Sequence, residues 1–339
     1  MPAEHAVIEL ISREIPSGPG RLSTTFTHDA ELCAFPGGNL LFTTDEFSGE
    51  DHFPVANPFC LGWNITAGAI SDIIATGGTP LYYAHALTVD SRWDEPYLRQ
   101  FCRGVRTVLQ HYGTCFIGGD IGTASTFRCT ASVIGRPSSR PLCRKGAAPG
   151  DLLYLSGKIG AGNFNAALSL FGDSSLRTRL ATRGTMRFSL LDICGPVVAR
   201  YASACIDSSD GVFVAADTLA DVNNVGYRIG TLPCITRGKA AARLLHLPET
   251  MLFFGECGEY ELLFTVHPAD EEALLDDLRS HRCSAYRIGE VVEPPSVRNI
   301  RDGKIRIDCR GPVPRGRDFS ETGEYLKALH TWIQTRQNG

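Results

Sequence analysis

Leu40-Leu41-Phe42-Thr43-Thr44-Asp45-Glu46-Phe47-Ser48-Gly49-Glu50-Asp51-His52-Phe53 joins a short apolar run to a cluster of hydroxyls and carboxylates. The first half has the composition of a buried strand, and the expected strand stops at Thr43, Thr44 and Asp45. A strand that delivers hydroxyl and carboxylate oxygens at a rigid position suits Mg²⁺ carrying phosphates better than a soft metal. An acidic loop closing an ordinary strand has the same composition, so the rest of the chain must decide.

The chain has 339 residues, more than one core usually holds, and two domains are expected, 1–145 and 146–339. With 43% hydrophobic and 21% charged residues it reads as a globular protein. A net charge of −4 argues against nucleic acid or an anionic membrane as partner. No apolar run approaches bilayer length, and Met1-Pro2-Ala3-Glu4-His5 does not resemble a signal peptide, so a cytoplasmic location is expected. Twelve cysteines contain no Cys-x-x-Cys and nine histidines no His-x-x-x-His; reduced, buried thiols are expected rather than disulfides or zinc.

Along the chain, the pattern predicts helices near Ala6–Arg13, over Gly62–Thr76, and from Asp94-Glu95-Pro96 to Gly113. Strands are predicted at Leu81–Thr88 and Phe127–Gly135, and at Thr114–Asp120, where Gly118-Gly119 precede the acid. The Pro-, Ser- and Gly-rich stretch 135–151 separates the two halves. The second half reads as strands Leu152–Ser156, Tyr227–Ile229, Tyr260–Val266 and Ala285–Val291. Its helices are Phe188–Ser203, Val212–Val222, Pro268–His281 and Glu321–Thr335. The turn Gly157–Asn163 is a weak phosphate-loop signal. A second acid-hydroxyl cluster stands at Asp207-Ser208-Ser209-Asp210-Gly211.

Six carboxylates, Asp29, Asp45, Asp72, Asp120, Asp207 and Asp210, thus lie beside glycines, hydroxyls or apolar residues. A lone buried carboxylate is costly, and ion pairs, helix caps or metal ions are the available compensations. Any single one reads most simply as a cap or a salt bridge; six recurring in such settings favour metal.

The order Asp29-Ala30, Thr43-Thr44-Asp45, His52-Phe53, Ser71-Asp72, Gly118-Gly119-Asp120, Arg144-x-Gly146-Ala147-x-Pro149-Gly150-Asp151, Asp207-x-Ser209-Asp210-Gly211 and Tyr260-Glu261-Leu262 resembles thiamine-monophosphate kinase. That family belongs to the aminoimidazole ribonucleotide synthetase and selenophosphate synthetase superfamily. The resemblance spans roughly residues 25–290. It implies an α/β fold of α+β type with two domains, the N-terminal one forming an intersubunit β-barrel in a homodimer and the C-terminal one an α/β sandwich. It also implies ATP, Mg²⁺ and a small-molecule acceptor. By matching position, Asp29, Thr43, Thr44, Asp45, Asp72, Asp120, Asp207 and Asp210 would form the metal shell. Gly119, Asp120, Arg144 and Ser209 would contact ATP, Asp120 and Asp210 would serve catalysis, and His52 would face the acceptor.

Phosphoryl transfer between two polyanions needs clustered cations more than covalent help from the protein. The sequence departs from the family at His28, at Ile121-Gly122 and at Gly258, where the kinases carry an acid, a Thr-Thr pair and a glutamate. Several of these lie on the acceptor side, so the resemblance carries ATP use further than it carries the acceptor. A relative that uses ATP to activate an oxygen in ligase or cyclase chemistry, and a non-catalytic nucleotide-binding homologue, are the alternatives.

Overall fold

The computed structural model describes residues 4–15, 17–51, 53, 55–171, 187–303 and 305–337. An N-terminal helix α1 (Glu4–Glu14) precedes a first sheet of β1 (Glu31–Phe35), β2 (Gly38–Ser48), β3 (Thr79–Asp90), β4 (Cys115–Ala124) and β5 (Arg128–Arg136). Its order is β1-β2-β5-β3-β4; only the β3–β4 pair is parallel, and α3 (Glu95–Tyr112) makes that crossover.

Between β2 and β3 runs α2 (Pro58–Ala75). Asn57 caps it by accepting the Cys60 N–H at 3.1 Å, and Pro58 takes the first turn, where no N–H is needed. The helix therefore starts four residues before the expected Gly62. It is apolar nearly all round because both faces are covered. Ile65, Ile70 and Ile73 share one core with Tyr83 and Val133 of the first sheet and with Cys205, Leu262 and Phe264 of the second.

That second sheet has the order β12-β11-β8-β10-β6-β9-β7. Its strands are β6 (Leu152–Leu155), β7 (Ala202–Asp207), β8 (Gly226–Ile229), β9 (Leu262–Val266), β10 (Tyr286–Val292), β11 (Arg298–Ile300) and β12 (Ile307–Asp308). β6 and β9 are buried on both faces, which explains why β6 is apolar throughout and β9 is interrupted only by Thr265. Leu152 and Tyr154 join the core around α2. Leu153 and Leu155 join a second core with Phe213 and Phe253 on the opposite face. The helices of this half are α4 (Ala161–Phe171), α5 (Cys194–Tyr201), α6 (Val212–Asn223), α7 (Thr236–Leu244), α8 (Met251–Phe254), α9 (Glu271–Ser280) and α10 (Thr322–Gln337). α10 closes the second core with Tyr325, Leu329 and Ile333.

Three further elements differ from their sequence-based expectation. β2 does not stop at Asp45, because β5 pairs with it through Ser48. β4 likewise runs past Asp120 to Ala124, held against β3. The expected helix 188–203 is helical only over Cys194–Tyr201. Before it, the main chain is taken up by side chains of α2 and α3: Phe188 N–H donates to Asn64, Trp63 donates to the Phe188 carbonyl, and Leu191 N–H donates to Tyr112. The twelve cysteines are unpaired as expected, but only six are buried, and Cys102 and Cys115 are exposed. No helix among the described residues is long and apolar enough to cross a membrane.

Candidate active site

β1 covers β2 only as far as Phe42, so from Thr43 onward the outer edge of β2 is open. A cavity of about 730 Å³ lies along that edge, walled by β2, Asp72, Arg144 and the turn after β7. Strand alternation places Leu41, Thr43, Asp45 and Phe47 on the inward face, so two polar groups ride on the core side of the strand. Thr43 Oγ1 donates to Asp72 Oδ2 at 2.5 Å. Thr44 turns the other way and shares a hydrogen bond with Ser132 at 3.0 Å, so its hydroxyl stands apart from the acids.

Asp72 comes from the buried helix α2 and Asp207 from the last residue of β7. Asp207 accepts from Ser71, and from Ser209 Oγ at 2.9 Å. Carboxylate oxygens of Asp29, Asp72 and Asp207 all lie within 4.8 Å of one another. Arg144 donates to Asp29 Oδ1 from Nε at 3.0 Å and from a terminal nitrogen at 2.6 Å, while its own main-chain N–H donates to Thr27. Asp210 stands exposed on the same turn as Ser209. The sequence reading missed Asp51 as a site residue. It lines the cavity and accepts the Ser48 N–H at 2.6 Å, and its place in the acidic stretch was the available signal.

So Asp29, Thr43, Asp45, Asp72, Arg144, Asp207, Ser209 and Asp210 come together. Asp120 and Gly119 do not join them in this chain: both sit on β4 at the far edge of the sheet, where Asp120 accepts the Ile121 N–H. His52 lies outside the described residues.

Like charges and burial set the electrostatics. Burial, then Asp207 and Asp29, push Asp45 up to about 7; burial, then Asp29, raise Asp207 to about 6 against its serine hydrogen bonds. Asp72 is raised well above the carboxylate range by burial and then by Asp45. The donor set is all hard oxygen, and among the charges facing Asp29 and Asp207 only Arg144 is positive, which fits Mg²⁺.

These shifts carry a pH dependence. The unfolded acids titrate near 3.8, whereas Asp207 and Asp45 titrate near 6 and 7 when folded. Between those values the native state holds more protons than the unfolded chain, so stability falls as pH rises through that window. The metal-free protein should therefore show a lower urea midpoint at pH 7.5 than at pH 5, and millimolar Mg²⁺ should remove most of the difference. Equal slopes with and without Mg²⁺ would contradict the cluster as a cation site.

A second cavity, about 780 Å³, adjoins the first; Asp51, Ser209, Asp210, Tyr260 and Arg317 line both. Its floor includes Gly258, and this glycine is required: a Cβ there would sit 2.5 Å from the Tyr260 ring and 2.6 Å from the Ser209 carbonyl. A glutamate therefore cannot be restored at 258 without moving the Ser209 turn. The glycine-rich turn 157–163 is not a phosphate loop, because Glu259 already accepts the Ala161 and Gly162 N–H groups at 2.9 and 3.1 Å.

Residues 27–136 match the domain described as AIR synthase related protein, N-terminal domain, and residues 148–300 match its C-terminal domain. The thiamine-monophosphate kinase of Methanospirillum hungatei JF-1 is 30% identical over 257 residues, covering 72% of this chain and 81% of that one. The crystal structure of thiamine monophosphate kinase from Aquifex aeolicus superposes with a TM-score of 0.70 at 24% identity, over 88% of this chain and 96% of that one. A structure described as AaThiL complexed with AMPPCP and TMP gives 0.68 at 26% identity, over 86% and 91%. The chain belongs to the AIR synthase related protein family, as a thiamine-monophosphate kinase-like member.

Proposed function

We propose that this protein is a Mg²⁺-dependent kinase that moves the γ-phosphoryl group of ATP onto a small phosphate-bearing acceptor. The observation that carries the reading is the meeting of two cavities at one acid-hydroxyl turn, Ser209-Asp210. ATP occupies the cavity along β2 with its phosphates toward the acids, and the acceptor occupies the second. Relatives named thiamine-monophosphate kinase, and the neighbour complexed with AMPPCP and TMP, support this assignment. They make thiamine monophosphate the first acceptor to assay.

Asp45, Asp72, Asp207 and Asp210, with Thr43, would hold Mg²⁺, which supplies positive charge to offset repulsion between the triphosphate and the acids. Arg144 opposes the upward push that burial gives the Asp29 carboxyl, and leaves a guanidinium edge beside the phosphates. Ser209, oriented by Asp207, offers its main chain and hydroxyl at the junction. In transfer, the bond from the γ-phosphorus to the β,γ-bridging oxygen breaks, and an acceptor phosphate oxygen bonds to the same phosphorus. That oxygen is already ionised at neutral pH, so no general base is called for.

Without metal the acids repel a bare triphosphate. Calorimetry should accordingly show AMPPCP binding with Mg²⁺ and a loss of at least about tenfold in EDTA, a difference of about 1.4 kcal/mol. Equal affinity in both would sink the reading. ADP release with thiamine monophosphate then tests the acceptor.

The division near residue 145 and a homodimer through the first half belong to the same proposal. Phe116, Ile117 and Ile121 are exposed on β4, a ten-residue edge strand, as is Tyr82 on its neighbour β3. A long apolar edge is a template for pairing with a second copy. Asp120 lies on that edge, so its part in catalysis would come from across the interface. Sedimentation should find a dimer, and Ile121→Asp should shift it toward monomer. A full-length protein that is monomeric at high concentration would contradict this.

A further inference from the structure

Arg144 reaches the acids from a main chain that is itself held in place. Its N–H donates to the Thr27 carbonyl at 2.8 Å, and the carbonyl before it, of Cys143, accepts the Cys205 N–H of β7 at 3.0 Å. The chain then passes so close to β7 that Gly146 is required. Its φ is +138°, and a Cβ there would sit 2.2 Å from the Ser203 carbonyl oxygen. The Arg144 carbonyl and the N–H groups of Gly146 and Ala147 still need partners.

Asn223, the last residue of α6, takes all three. Its Oδ1 accepts the Gly146 and Ala147 N–H groups at 2.7 and 3.1 Å. Its Nδ2 donates to the Arg144 carbonyl at 2.7 Å and to the Leu219 carbonyl, one turn back in α6, at 2.8 Å. A side-chain amide has two donors and two acceptor positions, so this one is fully committed. The bond to Leu219 fixes the amide on its own helix, and the other three tie that helix to the Arg144 segment. α6 is itself a wall of the 730 Å³ cavity, which Val214, Thr218 and Asp221 line at helical spacing. Arg144 lines the same cavity, whereas Asn223 does not. The asparagine therefore joins two walls of the cavity from outside it.

We infer that Asn223 is a positioning residue, which holds the Arg144 main chain so that the guanidinium edge not taken by Asp29 faces the phosphates of ATP. The inference rests on the reading of Arg144 as a nucleotide ligand and adds the residue that aims it. An arginine side chain is long and rich in rotamers, and ordering it costs free energy. Asp29 fixes its tip through two hydrogen bonds, and Asn223 fixes its root through the carbonyl. With both ends held, little of that cost falls on nucleotide binding. Without Asn223, three main-chain groups lose their partner, the root loosens, and the cost returns when ATP binds.

The test is a double-mutant cycle read by calorimetry of AMPPCP binding in Mg²⁺. Asn223→Ala should weaken binding about tenfold, and Arg144→Ala at least as much. The double variant should bind no more weakly than Arg144→Ala, because nothing is left for Asn223 to aim. A merely structural asparagine would lower the thermal midpoint and leave affinity alone, or weaken binding by the same factor with and without Arg144. Either result overturns the inference. If Asn223→Ala does not fold, Asn223→Ser, which keeps a shorter polar side chain, takes its place in the same cycle. Arg144→Ala binding as tightly as the parent would remove the reading of Arg144 and the inference with it. A loss in Arg144→Ala with none in Asn223→Ala overturns the inference alone and leaves that reading standing.

Discussion

Asp72→Asn is expected to lower turnover by at least about a hundredfold while raising the thermal midpoint of the metal-free protein. Asp72 Oδ2 accepts from Thr43, and its carboxylate sits within 4.8 Å of Asp29 and Asp207. The amide keeps the size and the hydrogen bond and cannot ionise, so folding no longer has to force the acid toward its protonated form. In the absence of metal that change relieves repulsion and desolvation, so the fold gains. During phosphoryl transfer the same carboxylate would help hold Mg²⁺, whose charge is worth several kcal/mol to the transition state. Activity and stability thus move in opposite directions, as at a site where function is maintained against the fold. Differential scanning calorimetry in EDTA, with steady-state ADP release, checks both. A variant that loses stability and activity together would mark Asp72 as structural.

Arg144→Ala should behave in the opposite way, losing about 3 kcal/mol or more of stability at pH 8. Its partner Asp29 has a side chain only 1% exposed, and removing the guanidinium leaves a carboxylate with two charge-assisted bonds gone. Burial already pushes the Asp29 carboxyl upward while Arg144 opposes that push. Once Arg144 is absent, Asp29 escapes by taking a proton, so the cost should shrink toward pH 5. Asp29→Asn in the Arg144→Ala background should restore most of the loss at pH 8. Chemical denaturation at both pH values decides it; a loss independent of pH and not rescued by asparagine would show that Arg144 acts through packing alone.

Much of this site could be read in the sequence because its parts are local. Asp207-x-Ser209-Asp210-Gly211 is a strand end, a turn and a helix start within five residues. Ser71-Asp72 stands out in α2 because nearly everything around it is apolar. What misled was the equation of polar with loop. Thr43 and Asp45 were expected to end β2, yet they alternate in phase with Leu41 and Phe47, and the inward face they share is the wall of a cleft. The opposite facing of Thr44 follows from the same pleat. The β-strand at Glu31–Phe35 and the short helices α7 and α8 gave too little periodicity to predict. The ion pair of Arg315 with Glu256, at 2.6 Å, was out of reach, since the two residues are joined only by the fold. The same holds for Asp120, where sequence order says nothing about which edge of a sheet a strand will take.

The helix α2 has a consequence for how this protein can be recombined. Pro58–Ala75 is encoded in the first half of the chain, but the surface it fills belongs equally to the second, through Cys205, Leu262 and Phe264. Cutting at residue 145 to graft either half onto a relative severs one hydrophobic interior and transplants only one of its walls. A hybrid that keeps the complementary residues of β7 and β9 together with α2 preserves that interior across a discontinuous stretch of gene. The unit of exchange in this protein is therefore a shared packing surface, and its borders do not coincide with any single crossover point.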